Sequence, residues 1–522
     1  MKIGMFFGAG AEIGYGLPSG GKFAIDLFRH DVSGQKKLLR TELGGLNNLS
    51  TYVTDWLPDK YKTGTIYAFG KSEFSSLIES SIEYRKNEII RRLSDFDYEA
   101  DKALKDLNID KATFQKVFKA KTGKELGQEV YSQAIKMNKL LAQEVKLFGS
   151  EYYSAMLDAI KVEGDTTDIE KYAGAFLQLL VGAHGQELVT KLNHELFEQA
   201  PDDIPIFDDV TGMFKIEFSR AGLTALDLLL NERRPFDPES EDLSEILPAI
   251  AQQILENLFT TVLDYQSLID SHFRYLYSPK TEWAKFTKMV VFLRATREYI
   301  VGQLEDAGEL PDHGYYHDLS ESKNLNIELT SIGTANYNNI VESISDKLGF
   351  TIPDVKHLNG GVNDYYNPYK NSVVSAENIE DVPTDQIHVP FILTQSGLKP
   401  LTSVDMSRRY VGLFDDYKNS DAVVVIGYGF NIDDSHINGL FRQVIEESGR
   451  HLYWVSLNTD GDAEKQKRNL VRRLRISPNN KDKVTVVPVD IKERKIDGKS
   501  WLEHIRDEFL EKQGQDEKQQ SS

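Results

Sequence analysis

Lys2 Ile3 Gly4 Met5 Phe6 Phe7 Gly8 Ala9 Gly10 Ala11 Glu12 Ile13 Gly14 Tyr15 Gly16 Leu17 Pro18 Ser19 Gly20 Gly21 is the stretch on which the reading of this chain turns. Its first six residues are an apolar run of strand length, and the run breaks into a glycine-rich loop ahead of a helix candidate over residues 22–28. Glycines let a backbone approach a pyrophosphate, and a following helix N-terminus adds favourable partial charge. The spacing is not the usual dinucleotide fingerprint, because Ile13 stands at the third-glycine position. A tight turn with no ligand is the competing reading.

Six further β-rich runs lie after residue 326, at 327–333, 355–358, 389–394, 422–427, 452–457 and 484–489. Several are continuously apolar, the pattern of parallel strands buried on both faces. With helix candidates between them they predict an α/β fold, a Rossmann-like doubly wound parallel sheet. The intervening chain has a different texture. Residues 59–200 contain no proline and carry apolar side chains at helical spacing, as in Phe74, Leu77, Ile78 and Ile82. The expected organisation is a first sheet portion at 1–71, an all-helical insertion at 72–325, a second sheet portion at 326–510 and a disordered polar tail at 511–522.

Composition narrows the function classes. The 522 residues include no cysteine, which removes disulfides, thiolate zinc sites and cysteine nucleophiles and points to the cytoplasm. A formal net charge of −20 argues against a broad nucleic-acid surface. The opening apolar run is too short for a signal peptide, and no stretch approaches the roughly 20 residues of a membrane span. One basic cluster, Lys465, Lys467, Arg468, Arg472, Arg473 and Arg475, reads as a solvated helix face, with a nucleotide or partner contact as the alternative.

Three more strand ends carry polar residues, and ligands of open α/β sheets bind at such ends. The first runs through Thr334 to Asn336, Tyr337 and Asn338; the competing role for Thr334 and Asn336 is to cap the next helix. The second is His357, Leu358, Asn359, Gly360 and Gly361, and the third Gly427, Tyr428 and Gly429, followed by Asp433, Asp434, His436 and Asn438. His313 and His317 have metal-like spacing but sit in a segment that reads as a loop, so no metal is expected. His436 lines a cleft or caps a helix.

In order and spacing these four elements together resemble the sirtuin-like family, particularly the bacterial sirtuin-like NAD hydrolases of antiphage defence. The resemblance covers residues 1–28 and 326–490 and leaves the helical middle unassigned. It implies that Gly8, Ala9, Gly10, Leu17 and Pro18, with Glu12 inside the same loop, surround the phosphates and nicotinamide ribose of NAD. It implies Asn336 as the polar catalytic residue, with Thr334 beside it. Gly427, Tyr428 and Gly429 take the second phosphate-loop role with Asp434 close by, and Asn458 faces the adenine ribose.

Two positions depart from the family's pattern. Glu12 stands where a serine is usual, and a carboxylate beside a pyrophosphate repels it unless turned away or paired. Asn359 stands where the catalytic histidine is usual. His357, two residues earlier and on the same face of an extended segment, is either a substitute base or a packing histidine. The expected function is cleavage of the nicotinamide–ribose bond of NAD, without a metal, by a homo-oligomer that waits on an activating partner protein. The alternatives are a non-catalytic module that binds NAD or ADP-ribose, and a scaffold with an empty pocket. The four cysteines of zinc-ribbon deacetylases are missing, which weakens the deacetylase branch.

Overall fold

A computed structural model describes residues 1–17, 20–131, 145–162, 164–185, 222–230, 236–263, 265–306, 310–377, 379–393, 403–431, 434–457, 463–490 and 493–520. The chain divides into two compact units, Met1–Ser19 with Asp31–Ala68 and Gln266–Ser522, and Gly20–His30 with Phe69–Tyr265.

The first unit is built on β1 (Lys2–Phe7), β2 (Glu328–Thr334), β3 (Val355–His357), β4 (Gly360–Asn367), β5 (Ser372–Ser375), β6 (Val389–Ile392), β7 (Ala422–Ile426), β8 (His451–Leu457) and β9 (Val484–Val489). Six of these form one sheet in the order β3-β2-β1-β7-β8-β9, and every neighbouring pair is parallel. That is the strand order of doubly wound dinucleotide sheets, and the order reverses between β1 and β7. The apolar runs explain the centre: every residue of β7 is buried, as parallel strands covered on both faces require.

Side chains of β1 alternate between the two faces. Ile3, Met5 and Phe7 join a core with Ile340, Ile344, Val424, Ile426, Trp501 and Ile505. Phe6 faces the other way, edge-on to Tyr428 and Phe441 with ring centres 5.2 and 5.1 Å away. Helix Val404–Asn419 covers that second face, and its Tyr417 hydroxyl donates to the Met5 carbonyl at 2.7 Å. The sheet is therefore layered on both sides.

One expected strand belongs elsewhere. The run at 389–394 was expected in the parallel sheet, but β6 pairs antiparallel with β4 in a separate three-stranded sheet of order β5-β4-β6, and Thr394 lies outside the described residues. Pro390 supplies a reason, since a residue without an N–H is tolerated at a sheet edge and not in a central strand.

Every regular element among the second unit's described residues is a helix. Helix Thr167–His184 is its centre, with Ile169, Phe176, Leu179 and Leu180 fully buried. A buried ion pair joins Arg92 to Glu99, and Arg92 Nη1 also donates to the Asn257 carbonyl at 2.7 Å, so the charge is not left uncompensated.

The unit boundaries differ from the expected insertion at 72–325 in two places. Helix Gly20–Arg29 goes with the helical unit, because Ile25 and Leu27 are buried there, Phe28 packs on Phe74, and Arg29 pairs with Glu256 at 2.8 Å. Residues 266–325 go with the sheet unit, where Tyr316 and Leu319 enter its core. The expected disordered tail differs too: helix Trp501–Gln520 continues through most of it, anchored by Trp501, Leu502 and Ile505. No helix among the described residues is long and apolar enough to cross a membrane.

Candidate functional site

All four polar strand ends meet at the carboxyl edge of the parallel sheet, because β3, β2, β1 and β7 are consecutive in it. The two glycine loops are in direct contact. Gly8 N–H donates to the Ile426 carbonyl at 2.9 Å, and Gly10 N–H to the Gly427 carbonyl at 2.8 Å. A Cβ on Gly10 would lie 2.8 Å from Gly427 Cα, and one on Gly427 only 2.0 Å from the Ala11 nitrogen. Gly427 also has φ +66°, the left-handed region. Crossing of the loops accounts for these glycines before any ligand is considered.

The first loop does not run straight into a helix. It makes two short turns, Ala9–Ala11 and Ile13–Tyr15, the second closed by Gly16 at φ +82°. Ala9 is exposed and Ile13 is 60% exposed, so the rim of the loop faces solvent. Leu17 packs against the apolar core rather than toward the loop's open side, while Pro18 and Asn458 lie outside the described residues.

Glu12 points inward and is buried. Tyr316 Oη donates to its Oε1 at 2.8 Å, and Asn338 Nδ2 donates to Oε2 at 2.7 Å. Burial pushes its pKa up from 4.5 to about 7, against the opposing pull of hydrogen bonds from Asn338, Tyr316 and Asn336 and of the charge on His357. The Glu12 carboxyl is therefore turned away from the loop's exposed rim.

Asn336 ends β2 in the same cluster. Its N–H donates to Thr334 Oγ1 at 2.9 Å, and its Nδ2 to Tyr316 Oη at 3.3 Å. Among the described residues nothing donates to its Oδ1. Thr334 Oγ1 in turn donates to the Phe7 carbonyl at 3.1 Å, tying β2 to β1. Neither residue caps the following helix; Asn338 Oδ1 accepts from Ile340 N–H at 3.2 Å instead.

His357 is engaged at both ring nitrogens, Nδ1 with the Asn336 carbonyl at 3.0 Å and Nε2 with Glu342 at 3.2 Å. Burial opposes its charged form, but the Glu342 carboxylate and the Asn336 carbonyl outweigh it and raise the pKa above 6.5. Asn359 is a brace: Nδ2 donates to the Ala335 carbonyl at 3.2 Å, and its own carbonyl accepts from Leu393 N–H at 2.8 Å. His357 and Asn359 thus hold the end of β2 in place.

The second loop is mostly packing. The buried Tyr428 ring lies 5.0 Å from Phe430, and its hydroxyl bonds Asp434 at the start of helix Ser435–Glu446. Helix Ala463–Leu474 buries Leu470, Val471 and Leu474, as its spacing predicts. One member of the basic cluster departs from a purely solvated role: Arg473 Nη1 donates to the Gly429 carbonyl at 2.8 Å.

Tyr15, Tyr316 and Glu342 are participants to which sequence patterning assigned no role, and Asn338, named only as part of its strand end, donates to Glu12. Tyr15 stacks on Tyr316 at 5.3 Å, accepts from Tyr316 N–H at 3.0 Å, and bonds His317 Nδ1 at 3.1 Å. The signal was the aromatic pair beside His317, which reads as loop because no periodicity runs through it. His317 is thus used in packing, and His313 meets Asp312. Among the described residues no group of three or more His, Asp or Glu is placed to hold a metal ion. Compared with known proteins, the chain matches no family model and no curated protein.

Proposed function

We propose that this chain binds NAD where its two glycine loops cross and cleaves the bond between nicotinamide and ribose. The observation that carries the reading is the place of the two loops, at the reversal of strand order where doubly wound sheets take dinucleotides, with Asn336 at the end of the adjacent strand. Nicotinamide leaves a cationic ring as a neutral molecule, taking the bonding electron pair, so its departure needs no proton. A water then forms the new C–O bond at the ribose carbon and loses a proton to solvent or to a nearby base. Asn336 Oδ1, with no donor among the described residues, suits the task of accepting from that water or from a ribose hydroxyl. Ionic stabilisation of the oxocarbenium-like ribose is the remaining requirement.

A second reading is a module that binds NAD or ADP-ribose without turning it over. It is favoured by His357 and Asn359, whose polar groups are already committed to the fold. The proposals of homo-oligomerisation, an activating partner, a cytoplasmic setting and antiphage defence rest on the family resemblance alone.

Calorimetry with NAD, paired with nicotinamide release, separates the two readings. Asn336→Ala is expected to keep NAD binding within a few-fold and to lower release by about 10²-fold, the scale of a lost orienting contact. Tight binding with no release by the unaltered protein, alone or with candidate activators, would establish the binding module instead.

A further inference from the structure

We propose that Glu12 is a positioning residue: through the Tyr316 hydroxyl and through its own hydrogen bond with the Asn336 amide, its ionised carboxylate fixes which way that amide faces and makes the site's activity depend on pH. The inference rests on the reading of the site as one that cleaves NAD.

The geometry is a relay of three side chains from three separate segments. Tyr316 Oη donates to Glu12 Oε1 at 2.8 Å, so the same oxygen is left to accept, and Asn336 Nδ2 supplies the donor at 3.3 Å. Asn338 Nδ2 holds the other carboxylate oxygen at 2.7 Å and keeps the group from rotating. With Glu12 ionised the direction of every bond in the relay is determined. The Asn336 amide must present nitrogen to Tyr316, which turns Oδ1 to the other side, where no described residue donates to it.

Protonation removes that certainty. A carboxylic O–H can donate to Tyr316 Oη and compete with the Asn336 amide for its lone pairs. An amide with two nearly equivalent orientations then has no fixed partner for its nitrogen. Oδ1 and Nδ2 exchange places in part of the population, and the acceptor that the reaction needs is lost.

The tyrosines and His317 around Glu12 stay neutral, and His357 is the other described ionisable group that acts on its charge. Tyr316 and Tyr15 stay neutral, since burial pushes both well above the ordinary tyrosine range. Burial lowers His317, which stays uncharged. From β3, His357 is buried, which disfavours its charge, but its contact with Glu342 of helix Ile340–Leu348 at 3.2 Å raises its pKa above 6.5. The Asp318–Arg494 ion pair, 2.8 Å, lies behind Tyr15. The carboxyl of Glu12 is pushed up to about 7, and loss of the pH-dependent rise in Glu12→Gln separates its titration from that of His357.

The test is the pH profile of nicotinamide release by the full chain, with KM measured beside kcat, for the unaltered protein, Glu12→Gln and Tyr316→Phe. Release by the unaltered protein is expected to rise through about pH 7. In Glu12→Gln that rise should vanish and kcat fall by about 10²-fold with KM within a few-fold. In Tyr316→Phe the rise should move to higher pH, because a hydrogen bond that lowers the Glu12 pKa is gone. A merely structural role moves neither midpoint. An identical rise in Glu12→Gln overturns the role of Glu12 and leaves NAD cleavage standing. No release by the unaltered protein at any pH, alone or with candidate activators, overturns both.

Discussion

A buried carboxyl whose pKa is raised by burial works against the fold once it must ionise. Glu12 goes from 4.5 unfolded to about 7 folded, so between those values the folded chain holds the extra proton. Stability is then undiminished below about pH 4.5 and declines as pH rises through about 7, in total by about 3 kcal/mol, at 1.36 kcal/mol per unit. Denaturant titrations at about pH 5, 6, 7 and 8 are expected to show that decline in the unaltered protein and a flatter profile in Glu12→Gln. Equal slopes in the two proteins would remove the buried, proton-holding carboxyl from the account. This residue also marks the limit of what the sequence showed. Glu12 was recognisable as out of place in a phosphate loop, but its partners Tyr316 and Asn338 lie more than 300 residues away, and no spacing rule joins them.

At the scale of elements, strands and their polar ends were legible because continuous apolar runs and terminal glycines have local causes. β1, β7 and β9 appear within a residue of where the patterning places them. Membership was less legible. The β6 run looks like its neighbours yet pairs with β4, and helix Gly20–Arg29 follows the glycine loop yet belongs to the helical unit. Both outcomes are decided by packing partners distant in sequence.

The crossing loops give a sharp pair of substitutions. Gly427→Ala places a methyl 2.0 Å from the Ala11 nitrogen at a left-handed φ, and is expected to destabilise the protein by about 3 kcal/mol or more and to abolish NAD binding. Gly14→Ala meets nothing within 4 Å and should leave stability within about 0.5 kcal/mol. Thermal melts and calorimetry read both. Similar effects from the two would mean that the loops do not cross as described.

At the scale of the whole molecule, β1 is a central strand whose partners come from the far end of the chain, with Phe7 beside Thr334 and Ile426. Ile3, Met5, Phe6 and Phe7 are completely buried. Removing residues 1–7 should therefore strip protection from the amides of β2 and β7 in hydrogen exchange, while the helices between Lys71 and Val262 keep theirs. Retained protection in β7 would contradict the sheet order.

The central claim is that NAD is cleaved where the loops cross, and a ¹H NMR time course of NAD with the purified chain tests it most directly. Free nicotinamide is expected to appear in step with NAD loss, and both are expected to slow by about 10²-fold in Asn336→Ala while NAD still binds. Unchanged NAD signals with the unaltered protein, alone and with candidate activators, or undiminished cleavage by Asn336→Ala, would contradict it.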